Sequence, residues 1–325
     1  MEEAHKVGFH ASGEEEFSRV ARIKGVNLIE LKPGKFAKEG NPLYIYDGNT
    51  FEINHRVVEE LERFAKTRDI ALQIHLPYER SHNPKKESGL CASDRAHHDR
   101  LLQRFDMIGQ MHERYGVGNV VTIHPPAYMF DGTEKWTKEE ALDAGREFYS
   151  RVDALMKEKG YSFRIGLENM VLPKNGEGAR GTSSLGYVPW HIDDIIGDTS
   201  KIGITIDSGH RRLNDEMSIA KLVSYGEVVN LHLHSNEGED NPTDYSGDQH
   251  MIAIPGFDTE KELAQDLYRG FRFDDRFKVL PHFDNFVSRV IRRRKVPVVL
   301  EVKIREYNDE ELVRYVSALR QDIGN

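Results

Sequence analysis

The sequence predicts an α/β protein built as a closed (β/α)8 barrel of the TIM type, and three observations carry the prediction. Eight short segments rich in β-branched residues alternate with stretches that place apolar residues at helical spacing. The strand segments are apolar almost throughout, as strands of a parallel sheet buried on both faces must be. No G-x-G-x-x-G turn follows the first strand, which leaves an open doubly wound sheet without its phosphate-binding turn. At 325 residues the chain fits one such domain, residues 1–325, with enlarged loops on the C-terminal face of the barrel.

In chain order the strand segments are "KVGFHAS", "VNLIELK", "IALQIHL", "NVVTIHP", "FRIGLEN", "KIGITID", "VVNLHLH" and "VPVVLEV". Arg56 to Thr67, Arg95 to Tyr115 and Lys138 to Lys159 between them read as helices. Four longer connections interrupt the rhythm, at 32–50, 173–186, 238–247 and 256–295, and the last is expected to contain extra helix.

A hydrophobic fraction of 38% against 30% charged residues describes a globular chain with a large core. There is no run of 18 apolar residues, and the acidic start "MEEAHKVGFHASGEEE" has no signal-peptide core, so the expected location is the cytoplasm, with no membrane partner. Cys91, the single cysteine, can form neither an internal disulfide nor a thiolate-rich zinc site, so a metal here would be held by nitrogen and oxygen. The net charge of −9 argues against nonspecific coating of nucleic acid and leaves a local site open, because bound cations cancel acidic charge.

Side chains at the C-terminal ends of parallel barrel strands converge on one pocket. Strands three to eight end in succession at His75, His124, Glu168, Asp207, His232 and Glu301. Asp, Glu and His make up 54 acids and 15 histidines of the 325 residues. Six such endings in a row would arise by chance on the order of a few times in a thousand, before the rarity of these residues in buried strands is counted. Any one alone is ordinarily a hydrogen-bonded core residue. Asp207 and His210 add a D-x-x-H pair, and Asp248 and His250 a D-x-H pair that, taken alone, would be a solvated loop. These nitrogen and oxygen donors suit zinc or manganese, and nine of them exceed what one ion needs. His234 lies two residues beyond His232 and so shares its side of the strand. It is expected to touch substrate or support the ligands, unless it exchanges roles with His232.

With "GFHASG" at 8–13, H-x-x-Y at His75 to Tyr78, "HP" at 124, "LEN" at 167–169, "IDSGH" at 206–210, "HLHS" at 232–235, "DQH" at 248–250 and "LE" at 300, the chain resembles the endonuclease IV family of apurinic/apyrimidinic endonucleases. That family falls within the xylose-isomerase-like barrels. The resemblance implies three zinc ions: one on His75, His124 and Glu168, one on Glu168, Asp207, His232 and Glu301, and one on His210, Asp248 and His250. It also implies hydrolysis of DNA 5′ to abasic sites by a metal-bridging hydroxide, with Tyr78 probing the DNA. The loop after the second strand carries Lys32, Lys35 and Lys38 where that family carries an arginine, and Glu79 replaces an apolar residue.

On this reading the protein is a metal-dependent phosphodiester hydrolase with Glu168 and Glu301 as catalytic carboxylates. Lys35 and Arg211, with Lys32, Lys38, Arg180 and Arg212, are candidate phosphate contacts, each against the alternative of a solvated cation. "IRRRK" at 291–295 reads first as the basic C-terminal end of a helix. The competing reading is a sugar or sugar phosphate isomerase or epimerase, which needs one cation on Glu168, Asp207, His232 and Glu301 and two glutamates to move a proton. A noncatalytic binder fits poorly with ligand residues intact at every position.

Overall fold

The computed structural model describes residues 5–33, 44–47, 50–76, 91–130, 133–171, 183–212, 219–234, 250, 253–254, 278–279 and 295–323. The eight expected strands are present: Val7–Ala11, Leu28–Leu31, Ala71–His75, Val117–Ile123, Arg164–Glu168, Ile202–Asp207, Val228–Leu233 and Val298–Leu300. Each pairs in parallel with its neighbours, and the eighth pairs with the first to close the barrel.

The helices follow local signals. Thr137 and Glu140 cap the start of Lys138–Lys159 reciprocally, and Gly160 ends it with φ 71°. Its buried stripe includes Leu142, Phe148, Tyr149, Val152 and Met156. His55–Arg68 begins at the Asn54 side chain, which accepts from the Val57 N–H, and ends at Asp69 in the left-handed region. The expected helix from Arg95 is a 3-10 turn, Arg95–His97, followed by the α-helix His98–Tyr115, because the Asp94 carboxylate caps the Ala96 N–H and sets up that first turn.

Two features were not expected from the sequence. Ala127–Phe130 pairs antiparallel with Thr133–Glu134 and with Ser183–Ser184, so the chain after strand four and the chain after strand five are stitched into a small sheet. A short helix, Ser208–Arg212, starts directly at the end of strand six. Within the long connection 256–295, Lys278–Val279 pairs with Ala253–Ile254; the rest of it, including "IRRRK" up to Arg294, and the connection 238–247 lie outside the described residues.

Alternate residues of each strand face the helices or the barrel axis. The helix-facing set (Phe9, Ile29, Ile74, Val121, Leu167, Ile206, Leu231 and Leu300) is buried hydrophobic core. Hydrogen bonds across the axis identify the other set. Thr122 Oγ1 lies 3.2 Å from Glu30 Oε1 and 3.3 Å from Thr205 Oγ1, and Asn230 Nδ2 donates to Thr122 Oγ1 at 3.0 Å. Glu30, Gln73, Thr122, Thr205 and Asn230 are all fully buried, so the barrel is filled at this level by polar groups. Gly166 has no side chain here because a Cβ would stand 2.1 Å from Thr205 Oγ1. Two residues further along each strand come Lys32, His75, His124, Glu168, Asp207 and His232.

Candidate metal centre

Glu168 is the hub of the mouth. Its Oε2 lies 3.3 Å from His75 Nε2 and 3.2 Å from His124 Nε2, and its Oε1 lies 3.3 Å from His210 Nδ1 and 3.4 Å from His232 Nδ1. His232 Nδ1 is also 2.9 Å from Glu301 Oε2 and 3.8 Å from Asp207 Oδ2. Glu168, Asp207, His232 and Glu301 can therefore offer four ligand atoms within 4.8 Å of one another, all on buried residues. His75, His124 and Glu168 form a second such group, Asp207, His210 and His234 a third, and His234, His250 and Glu301 a fourth.

The backbone fixes several of these groups directly. Asn169 grips Asp207 on both sides: its Oδ1 accepts from the Asp207 N–H at 2.7 Å and its Nδ2 donates to the Asp207 carbonyl at 3.0 Å. The helix start at Ser208 then turns the His210 N–H onto Asp207 Oδ1 at 2.6 Å. Ser208 Oγ donates to the His234 carbonyl at 2.6 Å, tying strand six to strand seven at their ends. His250 takes a left-handed φ of 52°, with Nδ1 2.9 Å from the Glu301 carbonyl.

The donors fit a cation better than they fit one another. Glu168 Oε2 and His232 Nδ1 are buried, close to several polar atoms, and yet make no hydrogen bond of acceptable geometry. Convergence on shared points instead of pairwise bonding is what a metal-ligand set shows, and imidazole with carboxylate is a donor mixture suited to zinc or manganese. The charged groups of the cluster also act on one another. Burial pushes Glu168 up, but the His232 and His124 rings outweigh it and hold the carboxyl well below the usual range. Burial likewise opposes ionisation of Glu301, and the Lys32 ammonium with His232 overcomes it. His232 is raised well above an ordinary histidine because Glu30, Glu301 and Glu168 together exceed its desolvation.

His75, His124, Glu168, Asp207, His210, His232, His250 and Glu301, eight of the nine expected metal ligands, are thus brought together. Asp248 lies outside the described residues, as do Tyr78, Lys35, Lys38 and Arg180 and the side chains of Arg211 and Arg212. His210 meets the His234 ring edge-on with centroids 5.9 Å apart, and His250 stacks on it at 4.4 Å. Of the two histidines at the end of strand seven, His232 turns Nδ1 toward Glu168, Asp207 and Glu301, and His234 places Nε2 2.9 Å from Asp207 Oδ2. Lys32 contacts Glu301 directly.

The sequence reading missed His10, 4.0 Å from Glu301, and Glu30, 3.1 Å from His232 Nε2. Strand alternation held the signal: in "GFHAS" and "NLIELK", His10, Glu30 and Lys32 break an apolar run at every second position.

A closed parallel barrel with a buried carboxylate–imidazole cluster at its C-terminal mouth defines a class of metal-dependent barrel enzymes. Residues 17–315 match the xylose isomerase-like TIM barrel family, and the chain belongs to that family. No curated protein matches the chain significantly. Among solved structures it is similar to a D-tagatose 3-epimerase-like protein, at 18% identity over 98% of this chain and 96% of that one with a TM-score of 0.60. It is also similar to apo 3-keto-D-glucoside 4-epimerase from E. coli, at 14% identity, 98% and 99% coverage and a TM-score of 0.57. A protein from Thermus thermophilus, soaked with ZnCl2, matches at 17% identity, 98% coverage of both chains and a TM-score of 0.51. At these identities the likeness establishes the fold. No helix among the described residues is long and apolar enough to cross a membrane.

Proposed function

We propose that the protein is a metal-dependent isomerase or epimerase acting on a sugar or sugar derivative. This reverses the order in which the sequence motifs alone rank the two readings. The observation that carries it is the buried Glu168, Asp207, His232 and Glu301 set, complete at the ends of four consecutive strands with ligand atoms within 4.8 Å of one another, which supplies every ligand this reading needs. A cation bound there supplies Lewis-acid polarisation of a carbonyl and its neighbouring hydroxyl. Glu168 and Glu301 come from strands five and eight and both reach His232 Nδ1, at 3.4 and 2.9 Å, so a substrate held at the cation would have two carboxylates within reach. In isomerisation one carboxylate takes a proton from carbon and, as the acid so formed, returns it to the adjacent carbon; in epimerisation one glutamate starts ionised and takes the proton while the other starts protonated and delivers its own to the opposite face. Two of the solved structures named above are described as sugar epimerases or epimerase-like, which adds fold-level support by analogy.

Phosphodiester hydrolysis, with abasic DNA as substrate, is the second reading. Its support is the surplus of imidazoles: His75 and His124 beside Glu168, and His210, His234 and His250 beyond the four-residue set. One experiment compares them. Protein purified without chelator or histidine tag is analysed for metal per chain, then assayed in D2O with a panel of ketoses and in parallel with an abasic oligonucleotide. About one zinc or manganese ion per chain with deuterium entering a sugar at carbon is the expected result. About three ions with nicking of the oligonucleotide, and no exchange, would overturn it in favour of hydrolysis.

A further inference from the structure

We propose that Glu30 is a positioning residue for the metal centre, acting through His232 by fixing which ring nitrogen is presented to the cation. The proposal rests on the reading of His232 as a metal ligand. Glu30 lies on strand two, across the barrel from strand seven, and is fully buried. Its Oε1 is 3.1 Å from His232 Nε2, and the same oxygen accepts from Asn230 Nδ2 at 3.1 Å and Thr122 Oγ1 at 3.2 Å. An ionised carboxylate only accepts hydrogen bonds, so the nitrogen facing it must carry the proton. When a cation displaces the second ring proton, it is His232 Nδ1, on the other side of the ring, that presents a lone pair among Glu168, Asp207 and Glu301.

Glu30 could itself be grouped with His75 and His232 as a ligand trio. Charge decides between the two arrangements. Nε2 faces one carboxylate, Nδ1 faces three, and a divalent cation is stabilised where the negative charge is concentrated. A carboxylate hydrogen-bonded to the far nitrogen of a ligating histidine fixes its tautomer and ring orientation, and loss of such a group typically weakens metal binding about 10- to 100-fold. Asn230 and Thr122 in turn keep the Glu30 carboxylate from rotating away.

The test is manganese affinity by titration calorimetry on the full chain, comparing wild type, Glu30→Gln and His232→Ala, with thermal melting of each metal-free protein to establish folding. A folded Glu30→Gln that binds manganese about 10- to 100-fold more weakly supports the proposal. Unchanged affinity in Glu30→Gln, with binding lost in His232→Ala, would overturn it and leave the metal-centre reading intact. Unchanged affinity in His232→Ala would sink that reading and the proposal with it. A second measurement needs no variant: 15N shifts of the histidine rings in zinc-loaded wild-type protein. A protonated Nε2 and a metal-shifted Nδ1 on His232 support the proposal, and the reverse pattern overturns it even if Glu30→Gln does not fold.

Discussion

His234 places Nε2 2.9 Å from Asp207 Oδ2, and its ring is wedged in place from behind. It stacks on His250 with centroids 4.4 Å apart, and the missing side chain of Gly209 leaves room for it: a Cβ there would stand 1.9 Å from His234 Cε1.

Gly209→Ala should therefore displace the His234 ring or the turn that carries Asp207 and His210. Overpacking of this kind costs about 1–3 kcal/mol. The expected outcome is a lower melting temperature together with at least ~10-fold weaker metal binding, by the sensitivity of ligand sets to their supports. A variant that melts and binds metal as wild type would show that His234 does not help hold Asp207.

The imidazoles beyond the four-residue set separate the two functional readings. For a single-cation isomerase, His250→Ala should lower kcat/KM by about 10-fold, an effect of its lost contacts with Glu301 and His234, and Asp248→Ala should be comparably mild. Glu168→Gln should remove activity under either reading, because one carboxylate serves four neighbours. Losses from Asp248→Ala and His250→Ala as large as that of Glu168→Gln, measured on the same substrate, would point to an obligatory multi-metal centre.

The barrel strands and the mouth were legible because a two-residue period is visible in one sequence: apolar toward the helices, ligand chemistry at the strand ends. Glu168 and His232 could be read that way. Glu30 follows the same period one layer deeper, but its role depends on Asn230 and Thr122, 200 and 92 residues away in sequence, meeting it across the axis. No local pattern encodes that meeting. The small sheet joining Ala127–Phe130 to Ser183–Ser184 was hidden for a related reason, since a two-residue strand has too little sequence for alternation to register.

Lys32 contacts Glu301, whose carboxylate is one of the four proposed ligands. Its ammonium occupies a ligand oxygen and repels an incoming divalent ion. Lys32→Gln should consequently tighten manganese binding by about 3- to 10-fold, the equivalent of roughly 1 kcal/mol for a partly exposed charge pair. Weaker binding in this variant, by the same calorimetric titration, would mean that Lys32 organises Glu301 for the metal instead of competing with it.

His191 predicts how acid acts on the chain away from the metal centre. Its ring is buried on Pro189–Ile196, and Nδ1 accepts the Gly186 N–H at 3.2 Å, anchoring the end of the connection that follows strand five. Burial, and then the Lys138 ammonium, push it down from 6.5 to about 4. The unfolded chain therefore takes up this proton near pH 6.5 and the folded protein only near pH 4, so stability falls as pH drops through that window and levels off below it. The loss attributable to this ring is up to roughly 3 kcal/mol. His191→Gln keeps an acceptor for Gly186 but cannot titrate, so its stability relative to wild type should rise steadily from pH 6.5 to pH 4. Urea denaturation of both proteins across that range measures the difference, and parallel pH profiles would show that His191 already binds its proton in the folded state.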